Sequence, residues 1–349
     1  MHDPVTRAGI HLIAPAGNCR SFLETLGVSS GEAFLELVTK ATGGAYEVSG
    51  DWELMLAGED ELHGGRTDDL RRAADIQAAL GDDDARAIVT VRGGAWFSRV
   101  LPRIDFSVLQ RRKTPVYVFG FSELTTLVNV VSDFDKGRGV LDMGPAFLTY
   151  GLRRYAMRHP EVLTDGMTAK QWMQARLMPE FEAYWQRVVA MIEGRGPSMP
   201  LHARHVRGPE PDSGDVRFVG GNLTVLSTLI GSQYESCIAP RGRWLVLEDF
   251  NDKPERLDRF LAHLTLAEFW EHCEGVLLGD FHQDDRDLNE AVLAMLDYHI
   301  PPDRAVPVLV TSTVGHIWPM TPLPLNRPLE LRRIGIETYE IECRMANSE

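Results

Sequence analysis

Short apolar runs alternate with amphipathic stretches through the N-terminal half of the chain. Gly9-Ile10-His11-Leu12-Ile13-Ala14-Pro15, stopped by Pro15 and Gly17, predicts a buried first strand. Between Ser30 and Thr42 the apolar positions Phe34, Leu35 and Val38 take the helical period, and Ala73–Leu80 reads as a second helix. Ala87-Ile88-Val89-Thr90-Val91, ending in Arg92-Gly93-Gly94, is a predicted strand. So is Pro115-Val116-Tyr117-Val118-Phe119, stopped by Gly120 and followed by a helix from Leu124. Strands and helices taking turns imply an α/β domain with a mostly parallel sheet and helices on both faces, because parallel strands need a crossover long enough to hold a helix.

The pattern changes after Tyr150. Phe181, Tyr184, Trp185, Val188, Val189 and Ile192 fall on one helical face, with Pro179 expected at the helix start. Core packing is the expected use of that face, with a dimer surface or a lid over substrate as the alternatives. The stretch 194–214 then gathers Pro197, Pro200, Pro209 and Pro211 among glycines and charges, the composition of a linker. Beyond it the alternation resumes with Val219-Gly220-Gly221-Asn222-Leu223, a strand at Trp244–Leu247 and a helix at Pro254–Phe269. A strand at Gly275–Leu278, a helix at Leu288–Leu296 and a strand at Val306–Val310 follow. The expected division is an α/β domain over 1–193, in which 145–193 is a divergent helical segment, a linker over 194–214 and a second domain over 215–349.

Composition narrows the class of function. The 349 residues carry 36 Lys and Arg against 50 Asp and Glu, a formal charge of −14. A nucleic-acid partner would require a basic surface to displace counterions from phosphates, so none is expected. Cys19, Cys237, Cys273 and Cys343 stand far apart with no CxxC pair and read as reduced thiols, not as a disulfide framework or a zinc site. Asp3 sits where a signal peptide would carry positive charge, and no run approaches the roughly 18 apolar residues of a membrane span. A cytoplasmic location without a membrane partner is expected.

The residues that carry chemistry gather where predicted strands end. Gly120-Phe121-Ser122-Glu123-Leu124 places a serine at a strand-to-helix turn, where a hydroxyl can be held exposed beside backbone N–H groups that meet a developing oxyanion. The second glycine of G-x-S-x-G is replaced by Leu124, and a helix-capping serine has the same local look. Arg92-Gly93-Gly94 offers close backbone approach, though a plain tight turn looks alike. Glu248 directly follows the strand Trp244–Leu247, and Gly315-His316 follows Val306–Val310. A nucleophilic serine needs such a histidine base and a carboxylate to orient it. By contrast, His202 and His205, and the group His282, Asp284, Asp285 and Asp287, read as solvated loop residues. The glycine pairs at 43–44, 64–65 and 220–221 match no dinucleotide or phosphate-loop spacing. No metal or cofactor is expected.

Taken in order, these blocks resemble the LD-carboxypeptidase (muramoyltetrapeptide carboxypeptidase) family of serine peptidases, which also holds the microcin-C immunity peptidases. Gly9–Gly17 is similar to the family's first strand and turn. Ala57-Gly58 with Arg72-Ala73-Ala74-Asp75-Ile76 is similar to its A-G…R-A-x-D-L, and Arg92-Gly93-Gly94 with Leu101-Pro102-Arg103-Ile104-Asp105 to its R-G-G…LLP-LD. Gly120-Phe121-Ser122-Glu123-Leu124-Thr125 corresponds to its G-Y-S-D-x-T and Gly220-Gly221-Asn222-Leu223 to its G-G-N-L. Leu247-Glu248-Asp249 with Arg256-Leu257-Asp258-Arg259 is similar to its L-E-D…R-x-D-R, and Gly315-His316 to its G-H. The likeness covers roughly residues 8 to 130 and 216 to 330.

The resemblance implies a flavodoxin-like N-terminal domain and a smaller mixed α/β domain with a β-barrel-like swivelling core. It implies Ser122 as nucleophile, His316 as base and Glu248 as its orienting carboxylate, with the amides of Gly94 and Glu123 as oxyanion hole. Arg92, Gly93 and Trp96 would lie against the substrate. Since the triad draws on both halves, its site is expected between two domains. The implied reaction removes the C-terminal D-alanine of a cytoplasmic muropeptide in peptidoglycan recycling, by a homodimer. A peptidyl-nucleotide antibiotic as substrate, or a binding protein without activity, are the alternatives. Glu123 in place of Asp, Ala95-Trp96-Phe97 after the glycine pair, and Asn326 in place of Gly depart from the family pattern.

Overall fold

The computed structural model describes residues 8–58, 67–164, 166–195 and 200–342; Asp3, the 64–65 glycine pair, Pro197 and Cys343 lie outside them. The chain divides into two compact units. The first takes residues up to Leu124, Phe134–Arg138 and the segment from Met143 through a long helix. Its strands β1 (Gly9–Ile13), β2 (Glu47–Gly50), β3 (Ala85–Thr90) and β4 (Val116–Gly120) pair in parallel in the order β4-β3-β1-β2. Strands covered on both faces bury nearly every side chain, and Ile10, Leu12, Ile88, Val89, Val118 and Phe119 are buried here. The helix Gly31–Ala41 starts where the Ser30 side chain accepts the Ala33 N–H. Arg72 of the helix Asp69–Gly81 is buried, held by Asp68 and by the Ala14 carbonyl.

Pro179 does not start the long helix. The helix runs Ala169–Ile192 and opens on a reciprocal capping box between Thr168 and Gln171, with Pro179 inside it. An interior proline costs about 3 kcal/mol. Met173 and Leu177 extend the buried stripe of Phe181, Tyr184, Trp185 and Val188 ahead of the proline, and that added burial outweighs the lost bond. The stripe is core: Phe181, Tyr184 and Trp185 are fully buried and meet edge to face.

The second unit consists of Thr125–Asp133, Gly139–Asp142 and the chain described from 200 onward, so it takes in short pieces expected in the first domain. The end of β5 (Gly137–Leu141) pairs antiparallel here with Leu323–Pro324. A mixed sheet is made of β6 (Leu201–Arg207), β7 (Gly214–Val216), β8 (Phe218–Asn222), β9 (Arg243–Phe250), β10 (Cys273–Gln283), β11 (Arg286–Asp287) and β12 (Val308–Val310). After β13 (Leu323–Pro324), β14 (Leu329–Gly335) and β15 (Thr338–Glu342) complete it, in the order β7-β14-β15-β6-β12-β10-β9-β8 with β11 beside β10. Its edge strands β7 and β8 are neighbours in sequence, and the sheet is a nearly closed barrel. The parallel strands β8, β9, β10 and β12 form its apolar heart.

The expected linker therefore contains a strand. Residues 201–207 form β6, hydrogen-bonded by β12 on one side and β15 on the other, with Leu201 and Ala203 inward and His202 and Arg204 outward. His202 and His205 sit on a strand instead of a loop. The charged outer face hid a period of two, while Pro209 and Pro211 mark only the turn between β6 and β7.

Candidate functional site

In the first unit, β4 ends at Gly120 and the chain turns abruptly. Ser122 takes φ 58°, a left-handed conformation that costs a non-glycine residue roughly 1–2 kcal/mol, and the tight turn Ser122–Leu124 leads into the helix Thr125–Ser132. Such strain persists only where surrounding structure holds it, and it marks functional turns. Ser122 is half-buried between the buried Phe121 and Leu124. The turn after β3 lies against it: a methyl added to Gly93 would stand 3.3 Å from the Ser122 Cβ and 3.6 Å from its Oγ. The Gly93 carbonyl accepts the Gly17 N–H at 2.9 Å, so the turn after β1 braces the turn after β3. Gly94 adopts φ 146° with its Cα so near this brace that a Cβ would fall 2.6 Å from the Gly17 nitrogen.

The other first-unit candidates extend the same turn cluster. Arg92 is exposed and donates to the Asn18 carbonyl at 2.5 Å. Glu123 Oε1 accepts the Phe97 N–H at 2.9 Å, so the longer acid found in place of Asp ties the serine turn to the start of the helix Phe97–Val100. Trp96 precedes that helix at φ 72°, half-buried, with the Arg99 guanidinium 4.3 Å from its ring centroid. The structure thus brings Ser122 and Gly93 together, and ties Glu123 to the Trp96–Phe97 turn.

In the second unit, Glu248 lies on β9 with no solvent exposure, and its Oε2 stands 2.8 Å from Nδ1 of His316. Glu248 Oε1 is buried without a hydrogen-bond partner among the described residues, which leaves the His316 contact as the main compensation for its charge. His316 follows Gly315, whose φ of 135° and close approach exclude a side chain: a Cβ there would meet the Asp280 Cβ at 2.7 Å. The Asp280 N–H donates to the Val314 carbonyl at 2.8 Å and fixes this turn to β10.

β9 runs past Leu247, so Glu248, Asp249 and Phe250 are strand residues that sequence reasoning left outside. Phe250 shares a face with Glu248, two positions on, and stacks on the His316 ring with centroids 4.7 Å apart and planes at 20°. It also meets His282 at 4.9 Å. His282, expected in a solvated loop, is fully buried on β10 against the Asp280 carboxylate; Asp284, Asp285 and Asp287 are exposed as expected. A longer strand, alternating apolar side chains with Asp280 and His282, was the missed signal. Asp249 faces the other way and accepts the Thr224 N–H at 2.9 Å. Burial, reinforced by the neighbouring Glu248 charge, pushes its carboxyl up to about 7.

Among the described residues no group of three or more His, Cys, Asp or Glu is arranged to hold a metal, and no helix is long and apolar enough to cross a membrane. Cys19, Cys237 and Cys273 are free thiols, and burial pushes Cys19 and Cys273 up to about 12 and Cys237 to about 11.

By its family matches the class of the protein is peptidase. The chain belongs to the LD-carboxypeptidase family: the N-terminal domain of that family matches residues 10–135 and its C-terminal domain residues 215–331. A probable murein peptide carboxypeptidase of Bacillus subtilis is 28% identical over 279 residues, covering 78% of this chain and 73% of that protein. Among solved structures, a protein of Bacillus anthracis described as MccF-like aligns over 97% of both chains with a TM-score of 0.65 and 16% identity. A muramoyltetrapeptide carboxypeptidase of Oxalobacter formigenes aligns over 96% of this chain and 99% of its own with a TM-score of 0.62 and 19% identity.

Proposed function

We propose that the protein is a serine carboxypeptidase that releases the C-terminal D-alanine of muropeptides, with Ser122, His316 and Glu248 as its triad. The observation that carries this reading is the 2.8 Å His316–Glu248 pair, a buried dyad of base and orienting carboxylate. With Nδ1 turned to Glu248, Nε2 is the nitrogen left to take the Ser122 proton. The Ser122 oxygen attacks the carbonyl carbon of the bond between the diamino acid and D-alanine. The amides of Gly94 and Glu123 receive the oxyanion, each such donor contributing about 3 kcal/mol to the transition state. The tetrahedral intermediate collapses as His316 gives its proton to the D-alanine amine. Water, deprotonated by His316, then hydrolyses the ester on Ser122. Arg92, Gly93 and Trp96 line the substrate side of this chemistry, which needs no metal or cofactor. The muropeptide is cytoplasmic and the working form a homodimer in this reading.

Support for the substrate comes from the murein and muramoyltetrapeptide carboxypeptidases it resembles. The likeness to the MccF-like protein favours a second reading, hydrolysis of a peptidyl-nucleotide antibiotic by the same triad. Mass-resolved hydrolysis of a muramoyl tetrapeptide and of a peptidyl-nucleotide analogue tests both. Wild type is expected to remove one alanine from the tetrapeptide. Ser122→Ala should lose about four to six orders of magnitude in kcat while remaining folded. Cleavage of the nucleotide conjugate alone would favour the second reading, and cleavage of neither would leave a binding protein.

A further inference from the structure

One face of the second unit carries five side chains in a row: Glu248, His316, Phe250, His282 and Asp280. Two carboxylate–imidazole pairs thus share one phenyl ring. Glu248 is paired with His316 at 2.8 Å, and the Asp280 carboxylate lies against the His282 ring. The Phe250 centroid stands 4.7 Å from the first imidazole and 4.9 Å from the second. Strand register builds the row, since Phe250 of β9 pairs with His282 of β10, and the Asn251 N–H donates to the His282 carbonyl at 2.8 Å. Asp280 also closes the loop to the dyad through the backbone, where its N–H holds the Val314 carbonyl just before Gly315-His316.

We propose that Phe250 is a positioning residue for His316, its ring steadied by the Asp280–His282 pair and stabilising the protonated imidazole. Stacking at 20° restrains the plane of the imidazole, while both ring nitrogens, which lie in that plane, stay available to their partners. A phenyl face carries partial negative charge and attracts a cation within about 6 Å of its centroid. It therefore favours the imidazolium formed each time His316 takes a proton. Glu248 of β9 meets His316 directly, and His282 of β10, paired with Asp280, meets the same Phe250 ring. A leucine would fill much of the same space without offering a face.

The inference rests on His316 as the catalytic base, but its decisive measurement needs no turnover. Histidine-labelled full-length protein is titrated by NMR, following the His316 imidazole in wild type, Phe250→Leu and Phe250→Tyr. Loss of the ring should lower the His316 pKa by about half a unit, and Phe250→Tyr should restore it. On the tetrapeptide, Phe250→Leu should lower kcat about threefold to tenfold with KM unchanged, and move the acid limb of the pH–rate profile down by the same half unit. If Phe250→Leu fails to fold, Phe250→Met, flexible and without a ring, replaces it in the titration. A ringless variant that is folded and titrates with wild type overturns the proposal. If the tetrapeptide is not cleaved at all, the proposed function fails while the imidazole titration still decides this point.

Discussion

The two units hold their proposed catalytic groups by opposite physical means. Around Ser122 the work is done by backbone: a left-handed serine, a glycine lodged against it, and a brace between two loop backbones from Gly17 to Gly93. Around His316 it is done by side chains taken out of water, with Glu248 fully buried and a phenyl ring laid on the imidazole. The first arrangement is vulnerable to the addition of a single carbon, the second to protonation and to loss of a partner.

Three changes break or sharpen that contrast, in falling order of effect. Glu248→Gln keeps volume and a hydrogen bond but loses the charge that stabilises the imidazolium, so kcat on the tetrapeptide should fall about 10⁴-fold in steady-state assays with KM little altered. Asp249→Asn tests the protonation side. The folded Asp249 carboxyl holds its proton up to about 7 against the ordinary 3.8 of an exposed aspartate, so between those values the folded state binds more protons than the unfolded one. Its contribution is fully present below about pH 4 and is lost as pH rises to about 7. Urea unfolding from pH 4 to 8 should show wild-type stability falling across that window by on the order of a few kcal/mol, and Asp249→Asn should remove that slope. Gly94→Ala tests the backbone side: a Cβ 2.6 Å from the Gly17 nitrogen and a φ of 146° should lower stability by about 1–3 kcal/mol, read as a lower Tm, with no change in its pH dependence.

Much of the first unit could be read from the chain because its strands are buried on both faces and appear as unbroken apolar runs, from β1 through β4. Ser122 and Gly93 were legible for the same reason, since each lies where such a run stops. In the second unit β6 was lost because its outer face carries His202, Arg204 and Arg207, and a half-buried strand with charges outside imitates a linker. The end of β9 was lost because Glu248 and Asp249 break an apolar run that the structure simply continues. Nothing local to Glu248 says that His316 will meet it, because that pairing is made by sheet register and a glycine turn far along the chain. Asn326 was legible as a departure, and the structure supplies its reason. It takes φ 51°, where Asn is the best tolerated residue after Gly, and its side chain donates to the Ser132 carbonyl at 3.2 Å.

The chain leaves the first unit directly after Leu124, returns for Phe134–Arg138, leaves again for Gly139–Asp142 and only later passes over for good. The helix that follows Ser122 is thereby lent to the second unit, where Asn129 hydrogen-bonds both the N–H and the carbonyl of Gly220 at 2.9 Å and Thr125 accepts the Asn222 N–H at 3.1 Å. A gene cut at the proline-rich stretch near 200 would therefore not yield two self-sufficient products. The downstream product would carry Gly220 and Asn222 stripped of partners that only the upstream product encodes. Any division of the chain that keeps the second unit whole must keep Thr125–Asp133 with it.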